Sequence, residues 1–514
     1  MEIERTKNTA RNIRWGIIQK LIQSLGPFVV RTVLIYVMGA EYAGLNSLFT
    51  SVLSVLSLTE LGFSQAIVYS MYKPVAEGDK EKVCALLNIY KKAYHVIGYV
   101  ILGIGCAIIP LIPFLISGDV PADINLYILY IIYLLNTVIS YFLFAYKTSL
   151  LSAYQREDVL SRNQLVINVA YYIGECIVIV VSQNYYLYSL LLPLMTIAVN
   201  FANNYSVNKL FPNYTPQGTI LITEKEELKK NLIGLSIWKV GGATRNTFDS
   251  IVTSMYLGLT VVTIYNNYFY IMNAVITILG VASTAITAGI GNKILTHSVE
   301  ENYQDFNAIQ LLYMWAAGWC TVCMFCLYQP FMKLWMGDGM LLSTLDMALF
   351  CVYFFCLKQG DIQSTYYQAA GLWWEGKFRS VVEAILNVTL NFILGYFLGV
   401  TGIILATIIS LTICGYIYGS TFVLKLYFHK GLKRFYITNL YYFAITMLAG
   451  WGSSMLCMLL LNQFGKSLLI INIILRLCIC TIVSNTIFYV FYKKVQGYDR
   501  AIELLGHILK KNTN

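Results

Sequence analysis

The sequence predicts an all-α, multi-pass membrane protein, and three observations predict it. Of 514 residues, 58% are hydrophobic and only 12% are charged, about half the charged share of a soluble protein; mean hydropathy is +0.63. The apolar residues gather into runs of roughly 20 or more, long enough to cross hydrocarbon at about 1.5 Å per residue. Lysine and arginine then fall in alternate gaps between those runs, the charge pattern of oriented membrane insertion.

Fourteen segments have this character: 15–38, 45–72, 93–116, 125–146, 164–183, 187–208, 231–257, 262–290, 308–332, 344–369, 381–398, 402–424, 438–462 and 468–492. The first follows a basic arm (Arg5, Lys7, Arg11, Arg14) and has full span length without a small-residue cleavage pattern, so it is expected to remain as the first helix. Of the 36 lysines and arginines, 28 lie in the N-terminal arm, in the gaps 73–92, 147–163, 209–230, 291–307, 370–380 and 425–437, and in the tail; the intervening gaps hold only Lys333 and Lys466. That asymmetry puts both termini in the cytoplasm and makes the span number even. It also accounts for the net charge of +10 by topology, leaving no reason to invoke nucleic acid.

The longest cytoplasmic connection, 209–230, contains Thr223-Glu-Lys-Glu226, a candidate capping box opening a short helix. In the tail, Ile502, Leu505 and Leu509 share one face of a helix suited either to lie along the inner leaflet or to end the chain as a solvated helix. Twelve cysteines are present, and Cys320, Cys323 and Cys326 read C-x2-C-x2-C. They lie within one apolar segment, and one helix cannot wrap a tetrahedral metal, so they read as small packing residues.

An internal duplication is visible. Asn12, Lys20 and Gly39 recur as Asn231, Lys239 and Gly258 at a constant offset of 219, and Ala153 and Arg162 recur as Ala370 and Arg379 at 217. The expected organisation is an N-terminal six-helix bundle (1–208), a linker (209–230), a C-terminal six-helix bundle (231–424), two appended helices (425–492) and a tail (493–514). An even number of spans per half makes the repeats parallel, with a path between them.

Six cations lie inside spans: Lys20, Arg31, Lys239, Arg245, Lys358 and Arg476. Each costs roughly 3 kcal/mol on the lenient insertion scale, and only five acids (Glu60, Glu175, Asp249, Asp361 and Glu383) lie at similar depth. Cations retained at that cost suit an interior that handles negative charge. Lys20 and Arg31 lie three helical turns apart on one face, about 16 Å along the axis; either they form two stations along a path, or Lys20 snorkels to the headgroups. Arg245 and Asp249 have i, i+4 spacing and Lys358 and Asp361 have i, i+3 spacing, which suits ion pairs as well as function. Glu60, Asp249 and Asp361 are candidates to carry a coupling proton or Na⁺, and Glu60 equally suits stitching helices or capping a turn. Tyr265, Tyr268 and Tyr270 are candidates to stack on sugar, against the commoner use of membrane tyrosines in packing. No Gly-rich phosphate loop followed by Lys-Ser/Thr occurs, so ATP-driven transport is not built in. The four histidines lie near cytoplasmic ends or in the tail, and the outer gaps are short, which argues against a glycan polymerase or ligase.

Several segments resemble a known family: Met38-Gly-Ala-Glu-Tyr-Ala-Gly-Leu-Asn-Ser-Leu-Phe49, Glu60-Leu-Gly-Phe-Ser64, Asn246-Thr-Phe-Asp-Ser-Ile-Val252, Leu257-Gly258, Tyr265-Asn-Asn-Tyr268, Gly291-Asn292, Leu334-Trp-Met-Gly337, the stretch from Ala369 to Arg379 with Glu383 and Asn387, Gly402-Ile403 and Ala406-Thr-Ile408. In order and spacing they resemble the polysaccharide-transport branch of the multidrug/oligosaccharidyl-lipid/polysaccharide exporter superfamily, the bacterial flippases for lipid-linked oligosaccharide repeat units. The resemblance runs to about residue 424. It implies two six-helix bundles around a cavity with alternating access, in the bacterial cytoplasmic membrane. The substrate implied is an undecaprenyl-diphosphate oligosaccharide moved from inner to outer leaflet, with a polysaccharide polymerase and glycosyltransferases as partners. Arg31, Arg245, Lys20, Lys239 and Lys358 would then meet the diphosphate, with no resident cofactor and a Na⁺ or H⁺ gradient as the drive. The alternatives are a peptidoglycan-precursor flippase or a drug exporter of the same superfamily.

Overall fold

The computed structural model describes residues 5–60, 63–220, 226, 247–372, 378–461 and 469–511. Among the described residues there is no strand. In chain order the helices are α1 (Arg5–Val37), α2 (Ala40–Leu56), α3 (Phe63–Glu77), α4 (Lys80–Ile108), α5 (Leu126–Phe142), α6 (Thr148–Ala153), α7 (Glu157–Ser182), α8 (Tyr185–Leu210), α9 (247–257), α10 (Leu259–Thr296), α11 (Val299–Met336), α12 (Thr344–Gln359), α13 (Asp361–Ala369), α14 (Arg379–Ser410), α15 (Gly419–Phe422), α16 (Leu432–Leu461), α17 (Leu469–Tyr492) and α18 (Tyr498–Lys511). The candidate capping box at Thr223 lies outside the described residues.

The expected segments are helical over most of their described residues, but three of them are broken. Segment 45–72 is α2 and α3, separated by a tight turn over Ser57–Glu60. Segment 125–146 is α5, followed by a short helical piece over Ala145–Ala153 at a 48° bend. Segment 344–369 is α12 and α13, joined at Gly360. Among the described residues, eight helices are long and apolar enough to cross a membrane, or nine if the bent pair counts as one span. Segment 231–257 lies mostly outside the described residues, segments 381–398 and 402–424 count as the single stretch Arg379–Tyr427, and two further segments are too short. α2 with 17 residues and α12 with 16 reach only about 25 Å, short of a ~30 Å hydrocarbon core.

The chain forms two compact units, Met1–Thr263 and Ile264–Asn514. In the first, α1 packs along α7, α5 along α8, and α4 along α5. Caps fix several starts: Asp79 accepts from Lys82 N, Asn125 from Tyr127 and Ile128 N, and Asn184 from Tyr186 and Leu187 N, each satisfying main-chain donors that the helix itself cannot. The apolar core is continuous from Val30 and Leu34 through Phe49, Tyr90 and Tyr133 to Val207. At Gly44 the backbones of α2 and α10 touch: a Cβ there would stand 2.3 Å from the Leu259 carbonyl oxygen. Gly44→Ala is therefore expected to destabilise the first unit by about 1–3 kcal/mol, the usual range for forced overpacking. Unfolding of detergent-solubilised protein checks this, and an unchanged midpoint would refute the contact.

In the second unit α11 carries a full capping box, with Ser298 and Glu301 bonding each other's main-chain amides, and it packs on α12, α16 and α17. Phe306, Tyr366, Phe428 and Phe435 form an aromatic core at one end. The segment after α14 is widened to π-helical turns over Leu411–Tyr418 and Val423–Tyr427. α18 is held by Arg500, whose guanidinium bonds Asp305 Oδ1 and Glu503 Oε2, both at 2.9 Å. Those bonds raise the Arg500 pKa above its ordinary value, that to Asp305 most. Ile502 and Leu505 are exposed on the same helix.

The duplication seen in the sequence is written into the backbone. Left-handed residues recur in register: Gly39 with Gly258 and Gly118 with Gly337, both at the 219 offset, then Gln155 with Gly371 and Gln183 with Gly399, both at 216. Left-handed φ is costly for most residues and marks a required turn, so four such matches are four matched chain reversals. One difference is informative. α10 runs 38 residues unbroken, whereas the equivalent stretch of the first unit, α2 and α3, is interrupted at Glu60.

Candidate functional site

Each unit brings charged side chains into its own interior. In the first unit Arg31 is 6% exposed. Its Nη1 donates to Ser47 Oγ and its Nη2 to the Thr263 carbonyl, each at 3.1 Å. The guanidinium thus ties α1 to α2 and to the start of α10. Beside it, Thr263 Oγ1 donates to Ala40 O at 2.6 Å and Thr260 Oγ1 to Glu41 Oε1 at 3.1 Å. Ser47 and Glu41 belong to the Met38–Phe49 segment, so that motif is where the two helices are stitched. Lys20, three turns before Arg31, is exposed. The shared face expected for Lys20 and Arg31 therefore spans two environments, because α1 packs closely at Gly26, where a Cβ would meet the Tyr172 ring at 2.1 Å.

Glu60 occupies the break between α2 and α3. Tyr94 donates to its Oε1, Tyr141 donates to its Oε2 at 2.5 Å, and Tyr90 donates to the Tyr94 hydroxyl at 2.7 Å. Phe63 stacks on Tyr90 with centroids 5.7 Å apart and closes one side. Two phenols thus bond one carboxylate, a third backs one of them, and among the described residues no basic side chain bonds it. A second carboxylate, Glu175 on α7, is 3% exposed and accepts from Tyr171 and Tyr188. Tyr188 also accepts from Asn46 Nδ2 at 2.9 Å. Asp249 on α9 is fully buried; Thr253 Oγ1 donates to its main-chain carbonyl at 2.6 Å. Lys239 and Arg245 lie outside the described residues, and with them the expected Arg245–Asp249 spacing pair.

In the second unit the expected i, i+3 pair forms: Lys358 Nζ meets Asp361 Oδ2 at 2.7 Å, with Lys358 3% exposed. Tyr313 donates to the same oxygen. Tyr313 stands at the 219 offset from Tyr94, and Lys358 at the 217 offset from Tyr141. Residues at repeat-related positions thus bond a carboxylate in each unit, although Glu60 and Asp361 themselves are not at that offset. Among the described residues Glu60 is bonded by phenols, and Asp361 is neutralised by a lysine. Nearby, Asn387 Nδ2 donates to Thr407 Oγ1 and Ser410 Oγ at 3.1 and 3.2 Å, which joins two of the motif segments quoted above.

The tyrosines singled out for sugar contact divide. Tyr265 and Tyr268 are buried against Phe350, and Tyr268 donates to Gln329 Oε1 and accepts from Leu342 N. Both are packing residues, because every face of the ring is covered; only Tyr270 is exposed. The tyrosines that do surround charge, Tyr90, Tyr94, Tyr141, Tyr171 and Tyr188, carry no local sequence signal. Their sole trace is the i, i+4 spacing of Tyr90 and Tyr94. A separate cavity of about 940 Å³ in the second unit is lined by Glu300, Tyr303, Lys430, Lys433, Arg434 and Lys494. It lies at the expected cytoplasmic end and does not include Lys358 or Asp361.

No family model matches the chain, and no curated protein matches it in sequence. Solved structures do share its fold. A lipid II flippase, MurJ, in an inward closed conformation superposes with TM-score 0.68 and 16% identity over 94% of this chain and 99% of its own. An inward-facing multidrug resistance MATE transporter of the MOP superfamily gives 0.60 and 14% over 78% and 97%. A MOP-superfamily transporter from Pyrococcus furiosus, described as having a binding pocket of reversed polarity, gives 0.55 and 14% over 82% and 96%. The chain thus shares the fold of a lipid II flippase over nearly its whole length and that of MOP-superfamily transporters over about four-fifths of it.

Proposed function

We propose that this chain is a flippase that carries a prenyl-diphosphate-linked oligosaccharide from the inner to the outer leaflet of a bacterial cytoplasmic membrane, driven by a cation gradient. The observation that carries this reading is a guanidinium, Arg31, enclosed in an apolar bundle whose fold is shared over 94% of the chain with a lipid II flippase. Arginine suits phosphate because its planar fork offers paired donors. The fixed charge of Arg31 lowers the cost of bringing a diphosphate into the interior; Lys20, Lys239 and Arg245 are the other candidates for phosphate contact, whereas Lys358 is taken up by Asp361. Alternating access between the two related halves, with the prenyl tail left in lipid, completes the cycle. The product suits a polysaccharide polymerase, and glycosyltransferases supply the substrate; the chain itself acts as a transporter rather than an enzyme.

The tyrosine-bound acids Glu60 and Glu175 favour a second reading, export of an organic cation, since acid and aromatic rings together suit such a ligand. One experiment separates the two. Purified protein in vesicles is given a fluorescent undecaprenyl-diphosphate oligosaccharide or a cationic dye, and the appearance of each on the far side is timed. The flippase reading expects lipid transfer, slowed about tenfold in Arg31→Lys, as loss of a paired charge-assisted contact of about 1.5 kcal/mol requires. Dye transport without lipid transfer would establish the second reading instead.

A further inference from the structure

Three cysteines from three helices meet inside the second unit. Cys326 on α11, Cys457 on α16 and Cys480 on α17 place their sulfurs all within 4.8 Å of one another. They are 5%, 0% and 0% exposed, and all three are free thiols. The helices that carry them form a fixed seam: α11 packs on both α16 and α17, and these pack on each other. Trp315 Nε1 donates to Asn485 Oδ1 at 2.7 Å, and Trp319 Nε1 donates to Thr481 Oγ1 at 3.2 Å. Gly318 lets Thr446 and Phe488 approach α11 closely. The thiols therefore converge on a rigid scaffold.

The C-x2-C-x2-C run on α11 looks inert because one helix cannot surround an ion. The fold removes that objection by supplying two ligands from elsewhere. Trigonal thiolate ligation with sulfur about 2.3 Å from the metal puts the sulfurs about 4 Å apart, which the observed cluster meets with small side-chain rotations. A disulfide needs about 2 Å and would use only two of the three.

Charge supplies an independent observation. Arg476 lies one turn before Cys480 on the same helix, α17, where its Nε bonds Asn472 Oδ1 at 2.6 Å. An arginine in a span is costly without an anionic partner. Three thiolates around a divalent ion carry a net charge of minus one, and Arg476 cancels it. Hard ions such as Mg²⁺ or Ca²⁺ prefer oxygen, whereas thiolates select soft or borderline ions.

We propose that Cys326, Cys457 and Cys480 form a binding site for one thiophilic divalent cation of the zinc and cadmium class, with Arg476 as its countercharge. Binding exchanges three thiol protons, released to solvent, for three metal–sulfur bonds. Because the ligands come from three helices, the ion clamps α16 and α17 onto α11. This site is independent of the transport reading.

Full-length protein, reduced and held anaerobically in detergent micelles, is titrated with Cd²⁺ while sulfur-to-cadmium charge-transfer absorption and thermal unfolding are followed. Wild type is expected to take up about one tightly bound Cd²⁺ per chain and to melt at a higher temperature with it, since an ion that binds only the native state stabilises it. Cys457→Ser and Cys480→Ser are expected to lose that equivalent and the thermal shift. Cys478→Ser, which changes an exposed thiol on the same helix, is expected to keep both. Should a serine variant fail to fold, Cys457→Ala, which buries no new hydroxyl, gives the same comparison. Equal cadmium uptake by wild type and triad variants would overturn the site, as would fully reduced wild type that binds none.

Discussion

Glu60→Gln is expected to abolish gradient-driven transport while leaving the protein folded. The amide still accepts from one phenol and donates to the oxygen of the other, so the Tyr94 and Tyr141 contacts survive in kind. What disappears is the charge. Among the described residues Glu60 has phenol donors and no basic partner, an arrangement that leaves a carboxylate to be neutralised by a proton or a small cation rather than by the protein. It sits in a break of the α2–α3 stretch that the equivalent helix α10 lacks, so the interruption is not demanded by the repeated fold. Transport into vesicles under a pH gradient and under a Na⁺ gradient identifies the drive: wild type should respond to one of them, and Glu60→Gln to neither, with a loss of at least about tenfold. Tyr94→Phe should weaken the same response and destabilise the first unit by about 2 kcal/mol, since it removes a hydrogen bond to a charged group. Normal gradient-driven rates in Glu60→Gln would exclude it as the coupling residue.

Lys358→Met is expected to be the most destabilising single change in the second unit, by about 3 kcal/mol. Removing one member of an enclosed ion pair strands the other, and the stranded charge costs more than the pair was worth. Here the stranded group is Asp361, three-quarters enclosed and bonded to Tyr313. Lys358→Met with Asp361→Asn should recover most of the lost stability, because nothing charged remains. Unfolding midpoints of the two singles and the double measure the coupling. Since Lys358 is already neutralised by its neighbour, the double variant is also expected to transport within about threefold of wild type. A folded double variant with transport lost more than about tenfold would return Lys358 to the substrate path.

Much of this was legible without coordinates. The Lys358–Asp361 pair follows from helical spacing alone, and the duplication marked by Gly39 and Gly258 reappears as matched left-handed turns. Other features were hidden by distance in sequence. Tyr94 and Tyr141 lie 34 and 81 residues from Glu60, and membrane tyrosines are too common for any one to announce a contact. Tyr265 and Tyr268 sit in a quotable motif yet are packed inside, because a motif records that a residue type is required, not which face it turns. The meeting of Cys326 with Cys457 and Cys480 was not legible in the run itself, because its neighbours come from two helices that look generic.

The sequence by itself determined that this chain is helical, membrane-spanning, duplicated and charged within, because transfer cost and helical period are properties of residues and near neighbours. Only the tertiary structure decided that Arg31 bridges α1, α2 and α10, that phenols rather than cations hold Glu60, and that three thiols share one point. Those outcomes depend on which helix faces touch, and packing across long loops sets that by shape rather than by any local pattern.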